Sequence, residues 1–399
     1  MEINLDLYQT VAVSILVLFV GGLIGKKNSF LRKYCIPAPV IGGMVFALLT
    51  LFVNQTFRIT VNTDDTMRDV FMTLFFTSVG YTASLKLLKK GGKQVAIFTL
   101  IAAILVICQD LLGVGLAKIF NLDPLLGLCT GSISMVGGHR TAGSFGTLLE
   151  NNFGIEKASA VGFASATFGL IMGGLTGGPV AERLITKNNL SSTSTNNEDD
   201  EDDFPNEKHD SLPSAEEFFK AFAMLFVAAG IGTIISGLIE KTGVTFPSYI
   251  GAMLAAAILR NLSDTTKKYS VMLDIVNILG YVSLSIFLSL SLMSLKLWQL
   301  ADLALPMLIM LIMQAILVVL IAYFVVFRLM GKDYEAAVMA SATCGFGMGA
   351  TPNAIANIQT ITDKKGPAPR AFFIVPLVGS FFIDFINGLI LTIFINVVR

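Results

Sequence analysis

Two segments of this 399-residue chain gather residue types that bind small ions and polar ligands. Residues 123 to 143 read DPLLGLCTGSISMVGGHRTAG, and residues 333 to 353 read DYEAAVMASATCGFGMGATPN. Each is led by Asp, studded with Gly and carries a Thr near its end. Asp123, Gly137 and Thr141 match Asp333, Gly347 and Thr351 at a constant offset of 210. The same offset carries Pro37 to Pro247 and Ser84-Leu85-Lys86 to Ser294-Leu295-Lys296, which marks an internal duplication. Glycines such as Gly137, Gly138, Gly345, Gly347 and Gly349 let a backbone leave helical geometry. At membrane depth the freed amides and carbonyls are costly unless protein, ligand or ion satisfies them.

Half-helices meeting at such breaks turn amide ends toward anions and carbonyl ends toward cations. Ser132, Ser134, Thr141, Thr351, Asn353 and Asn357 add neutral oxygens suited to Na⁺ and to polar substrate groups. The pattern fits an anionic substrate moved with a cation. The competing reading, that the glycines only permit close helix packing, is weaker for two segments at matching repeat positions. The chain reads as a secondary transporter.

Charged residues inside apolar stretches sharpen this reading. Asp110 and Asp384 lie within spans and Asp274 near the start of one, and intramembrane carboxylates are ion or proton sites by default. Asp384 stands close to the second broken segment and is followed by Asn387, so with Asn357 it is a Na⁺ candidate. Asp110 is either a further Na⁺ ligand or a structural acid satisfied by neighbouring backbone. His139 is either a proton relay or a packed neutral histidine. Arg140 has three readings: a clamp for a substrate carboxylate, a side chain reaching a water-filled vestibule, or the partner of a fixed acid, Asp384 or Asp110.

The elements that hold these residues follow from composition. Of all residues 54% are apolar and 14% charged, and mean hydropathy is +0.73, which describes a polytopic membrane protein. Spans are expected at about 7–25, 38–53, 69–86, 95–117 and 158–185, then at 216–239, 247–260, 271–295, 304–328 and 371–398. The interrupted segments 124–147 and 335–360 complete the two halves. Each half holds five crossings and one segment that leaves the membrane on its side of entry. Five is odd, so the second half is inverted. The expected fold is all-α, with two inverted-topology repeats of five transmembrane helices (residues 1–185 and 215–399), each with a re-entrant Gly-rich hairpin loop.

Lysine and arginine placement gives the orientation. Twenty fall on loops assigned to the inside, from Lys26 to Arg370. Seven lie at the outside: Arg58, Arg68, Lys118, Lys157, Lys241, Lys296 and Arg399. Both termini are therefore expected outside and the linker 186–214 in the cytoplasm. That linker contains the acidic run 198–203, reads as a disordered spacer, and holds His209 as an exposed residue of no function. The first apolar segment follows Glu2 and Asp6, without the basic start of a cleaved signal, and is read as the first span. Cys35, Cys108, Cys129 and Cys344 form no CxxC pair and no metal-ligand spacing. Zero formal net charge argues against nucleic acid. No HExxH, GxSxG or phosphate loop supports an enzyme. An anion channel would want a continuous polar path between like subunits, which paired broken helices do not suggest. A proton- or Na⁺-coupled dicarboxylate transporter is the nearer alternative.

GSISMVGGHRTAG from Gly131, ATFGLIMGGLTGGPVA from Ala166, KLWQLADLALPM from Lys296, CGFGMGATPNAIANIQTIT from Cys344 and FFIDFINGLI from Phe381 resemble the bacterial sodium/glutamate symporter family. The resemblance spans nearly the whole chain. It implies Na⁺-coupled uptake of L-glutamate by elevator-like alternating access, in a homodimer set in lipid of the bacterial inner membrane, with no organic cofactor. By the same implication Gly137, Gly138, His139, Arg140 and Thr141, with Gly347, Gly349, Thr351, Pro352 and Asn353, line the substrate and ion path. One residue departs from the family pattern: Arg140 stands where glycine usually follows the GGH triplet, which bears on the substrate.

Overall fold

A computed structural model describes residues 2–29, 31, 36–86, 92–192, 213–242, 246–266, 269–295 and 303–398. The acidic run 198–203, His209, Cys35 and Lys296 lie outside the described residues. The first half forms α1 (Leu7–Lys27), α2 (Ala38–Phe57), α3 (Thr66–Thr82), α4 (Gly92–Ile119), α5 (Pro124–Thr130), α6 (Gly138–Phe153) and α7 (Ala158–Asn188). The second forms α8 (Ala215–Glu240), α9 (Ser248–Thr266), α10 (Leu273–Met293), α11 (Ala304–Leu320), α12 (Tyr334–Met348), α13 (Thr351–Lys365), α14 (Pro369–Leu377) and α15 (Ile383–Val398). A π-helical stretch, Ile321–Val326, prolongs α11, and another, Val378–Phe382, joins α14 to α15.

Seven of these helices are long and apolar enough to cross a membrane: α1, α2, α4, α7, α8, α10 and α11, the last counted to Leu329. The other three expected crossings are helical but differ in build. Helix α3 has 17 residues, α9 has 19, and the last is divided by its π-helical stretch. One feature was not expected: β1 (Glu2–Asn4) and β2 (Thr60–Asn62) pair in parallel, so the chain is not wholly helical. Three-residue strands carry too short a pattern to be read from sequence.

Helix ends follow ordinary capping chemistry. Asp6 and Gln9 form a capping box on α1, and Ser214 and Glu217 form one on α8. Asp123 caps α5 through the amide of Leu125 at 2.8 Å, and Asp333 caps α12 through that of Ala336 at 2.8 Å.

The helices pack as two bodies. Helices α1, α2, α3, α8, α9 and α10 contact one another and form a scaffold. Helices α4 to α7 and α11 to α15 form a core around α7, the longest at 31 residues. Close approach within the scaffold depends on absent side chains. A Cβ on Gly42 would lie 2.0 Å from the carbonyl oxygen of Val17, and one on Gly251 would lie 2.3 Å from that of Gly232. The bodies meet through aromatic side chains, with Phe75, Phe76, Tyr249 and Phe287 of the scaffold against Phe145 and Phe163 of the core. Burying each ring stabilises this contact by roughly 2 kcal/mol.

Candidate functional site

Both broken segments form in the core, and their tips meet. In the first, α5 stops at Thr130, residues 131–137 turn irregularly, and α6 begins at Gly138 with φ +62°. In the second, α12 stops at Met348, Gly349 and Ala350 turn, and α13 begins at Thr351 with Pro352 in its first turn. Helices α12 and α13 lie against each other, with Asn357 Nδ2 donating to the carbonyl of Ser341 at 3.1 Å. A Cβ on Gly138 would stand 2.8 Å from the carbonyl oxygen of Gly349. Neither α6 nor α13 has a side-chain cap: Gly137 and Ala350 occupy those positions. Two uncapped helix N-termini thus come together with the positive ends of their dipoles; the Gly138 amide donates to Ser134 O, the Asn353 amide to Ala350 O, and Pro352 has no N–H.

The irregular backbone of the first break is satisfied by acids and amides from other helices. The Ser132 amide donates to Asp110 Oδ1 at 2.9 Å, and the Ser132 hydroxyl donates to Asn387 Oδ1 at 2.7 Å. Asn387 Nδ2 in turn donates to the Ser132 carbonyl at 3.3 Å. Ser134 Oγ donates to the carbonyl of Gly162 at 2.9 Å and also approaches that of Cys129, so its proton is used in packing. The expected ion candidates Asp110 and Asn387 therefore share one partner, Ser132. The second Asp110 oxygen, Oδ2, is buried and has no hydrogen-bond donor among the described residues.

The second break is held by α7 and the π-helical stretch. Asn353 Nδ2 donates to Leu170 O at 2.9 Å and Asn357 Nδ2 to Gly173 O at 3.0 Å. Thr351 Oγ1 donates to Gly379 O at 2.8 Å. Helix α7 can lie this close because it is glycine on that face: a Cβ on Gly169 would lie 2.0 Å from Met348 O. Asn357 Nδ2 is thus shared between two carbonyls, as Asn387 Nδ2 is bound to that of Ser132. Pro352 is exposed, and Thr141 is buried behind Gly137.

Arg140 forms an ion pair with Asp384, one of the partners weighed for it, and not with Asp110. Nη1 lies 2.6 Å from Oδ2 and Nη2 donates to Oδ1 at 3.0 Å, across 244 residues of sequence. Asp384 is 6% exposed and Arg140 24%. The Phe75 ring of the scaffold covers the guanidinium, its centroid 5.8 Å from Cζ. The fork grips Asp384 through its Nη1–Nη2 end, and Nε has no partner among the described residues. His139 turns the other way, its Nε2 3.0 Å from Thr167 Oγ1. The Thr167 hydroxyl already donates to Phe163 O, so Nε2 of His139 carries the proton in this contact. That is the packed arrangement weighed against a proton relay.

Two residues of this region were not foreseen. Gln109 Nε2 donates to Gly347 O at 2.8 Å, and Gln314 Nε2 donates to Gln109 O at 2.8 Å. Both Oε1 atoms are buried without a donor among the described residues. Because each Nε2 faces a carbonyl, the amides cannot be turned round without setting oxygen against oxygen. Gln314 is the single polar side chain of Ala304–Leu320, and that isolation was the available signal.

A model of the sodium/glutamate symporter family matches residues 3–367. The chain belongs to that family. The sodium/glutamate symporter of Escherichia coli K12 is 40% identical over 396 residues, 98% of each chain. The one from Haemophilus influenzae is 36% identical over 401 residues, covering 100% of this chain and 99% of that one. Among solved structures, a sodium proton antiporter from Methanocaldococcus jannaschii aligns over 99% of this chain and 98% of its own, at 15% identity and a TM-score of 0.42. That likeness is too distant to bear on the site. The family's members are transporters, and this symporter chain is not an enzyme.

Proposed function

We propose that this protein takes up L-glutamate together with Na⁺, binding both where the two broken segments meet. The observation that carries the reading is the convergence of two uncapped helix N-termini, at Gly138 and Thr351, beside Arg140 and a group of donor-poor oxygens. An acidic amino acid has two carboxylates and needs two sets of donors. The helix ends supply one set, and the unpartnered Nε edge of Arg140 supplies the other. Hard monovalent cations prefer oxygen ligands, and Asp110 Oδ2 is a buried carboxyl oxygen with no donor among the described residues. The Asp110–Ser132–Asn387 group is therefore the Na⁺ site preferred here, with Asp384 held by Arg140.

The transport cycle moves the core past the scaffold, exposing the site to each side in turn. The separation of the helices into two bodies with an aromatic contact supports this elevator-like division. A cavity of about 580 Å³ lies between the bodies, lined by Asn62, Arg68, Thr147, Glu150 and Lys157. Arg140, Ser144, Thr147 and Asn151 recur at helical spacing along α6 and form its polar stripe.

The repeats 1–185 and 215–399 are inverted, segments 124–147 and 335–360 are re-entrant, and the linker 186–214 is cytoplasmic with both termini outside. The protein is a homodimer of the bacterial inner membrane. Leu16, Phe19 and Leu23 of α1 and Phe219, Ile234 and Leu238 of α8 present scaffold surface to lipid or to a second copy. Uptake into proteoliposomes with and without an inward Na⁺ gradient, with glutamate, aspartate and succinate, tests the reading. Saturable, gradient-dependent uptake led by glutamate is expected, and Na⁺-independent flux would overturn it.

A further inference from the structure

Arg140 sits in the first turn of α6, where the helix dipole already concentrates positive charge. A guanidinium placed there is opposed by the helix and held by what it pairs with. Its partner, Asp384, is almost wholly buried on α15; its Oδ1 accepts from Nη2 at 3.0 Å, and its Oδ2 lies 2.6 Å from Nη1 as an ion pair without an aligned hydrogen bond. This is the only ion pair Asp384 makes among the described residues. A buried carboxylate without a counter-charge is strongly destabilising, so its environment must supply a cation. Here the cation is covalently tethered, and its occupancy owes nothing to the Na⁺ concentration.

We infer that Arg140 is a built-in counter-cation at a latent Na⁺ site formed by Asp384, and that position 140 sets how many Na⁺ ions accompany each substrate. The inference rests on the Na⁺-coupled reading above. With Arg140 in place, Asp384 is neutral as a unit and recruits no ion. With Arg140 removed, the carboxylate stands bare beside Asn387 one helical turn away, and Na⁺ is drawn in from water. Because the ligand lies in the core with the substrate site, the added ion travels with the core and joins the coupled set. The Phe75 ring lies over the guanidinium from the scaffold, its centroid 5.8 Å from Cζ.

The test is the Na⁺-to-glutamate stoichiometry in proteoliposomes, measured as the accumulation ratio at which net glutamate flux stops. It is run with the membrane potential clamped at zero and an imposed tenfold Na⁺ gradient. Arg140→Gly should gain one coupled Na⁺, seen as an accumulation ratio about tenfold above wild type. Arg140→Lys, which keeps the charge, should stay at the wild-type ratio, and Arg140→Gly combined with Asp384→Asn should return to it. If Arg140→Gly does not transport, ²²Na⁺ binding to purified protein reads the same point. One extra ion per protomer should bind in the single variant and be lost in the double variant. An unchanged ion number in Arg140→Gly overturns the inference, as does an unchanged number accompanied by new pH-dependence, which would mean that the acid takes a proton instead. Wild-type uptake that ignores Na⁺ would sink the underlying reading, a result distinct from an Na⁺-driven wild type with an unaltered variant.

Discussion

Gly138 and Gly349 touch: the first residue of α6 lies so close to the carbonyl of Gly349 that a side chain at 138 would begin 2.8 Å from that oxygen. Gly138 also has φ +62°, a left-handed conformation that alanine adopts at a cost of about 1 kcal/mol. Gly138→Ala should therefore combine backbone strain with a steric push against the opposite tip. The expected result is transport lowered roughly tenfold or more, corresponding to a loss of about 1.4 kcal/mol or more, with the protein still folded. Initial uptake rates, set against the thermal unfolding of the purified variant, check it. Unchanged uptake would mean that the tips need no close contact.

The Arg140–Asp384 pair gives a second outcome. Removing one partner leaves the other charge stranded, whereas removing both leaves none, so the two changes should be strongly non-additive. Asp384→Asn alone should destabilise by about 1–3 kcal/mol, below the roughly 3–5 kcal/mol of a fully buried pair because Arg140 keeps some solvent. Adding Arg140→Gly should recover part of that loss. Thermal or denaturant unfolding of the four proteins gives the coupling energy, and strict additivity would show that the pair is not formed in the membrane.

Much of this arrangement was legible in the sequence, and the missing parts share a cause. The 210-residue offset and the glycine series located both breaks, and the turns at 131–137 and 349–350 fall within the segments so marked. Local composition records where a helix must stop. It does not record which distant side chain meets which. Arg140 therefore had several possible partners until the fold brought Asp384 to it across 244 residues. Gln109 and Gln314 carry no charge, so their residue type alone does not mark them as site residues in the way an ionisable group is marked. A lone amide in an apolar helix carries the same message, since it too must find a partner at depth. Asn357 shows the same limit, since its side-chain type suggests an ion ligand, whereas the sequence does not record that its Nδ2 ties α13 to carbonyls of α7 and α12.

Asp110 is where the account places Na⁺. Asp110→Asn keeps an oxygen able to accept from the Ser132 amide but removes the charge on the atom that lacks a donor. The Na⁺ concentration giving half-maximal uptake should rise by roughly tenfold or more, the scale of one charge-assisted contact. The glutamate KM at saturating Na⁺ should move far less. If the glutamate KM rises and the Na⁺ dependence stays, Asp110 belongs to the substrate.

The glutamine pair should behave asymmetrically. Gln109→Leu strips Gly347 O of its side-chain donor at the second break and should destabilise by about 1–2 kcal/mol. Changing Gln314 to Leu as well removes a second buried oxygen that has no donor but takes the Gln314 Nε2 donor from Gln109 O, so the two effects should largely offset and the double change should cost about as much as the single one. Unfolding midpoints of the two variants decide this. A double variant much worse than the single one would mean that those oxygens hold a ligand.

Substrate and ion are placed where the two breaks meet. A cryo-EM structure of the protein with L-glutamate and Na⁺ tests it most directly. Substrate density is expected between Gly138 and Thr351, with one carboxylate at the amide ends of α6 and α13 and the other on the Nε edge of Arg140, and ion density at Asp110 Oδ2. Substrate density confined to the cavity beside Arg68 and Glu150, or lodged among the scaffold helices, would contradict it.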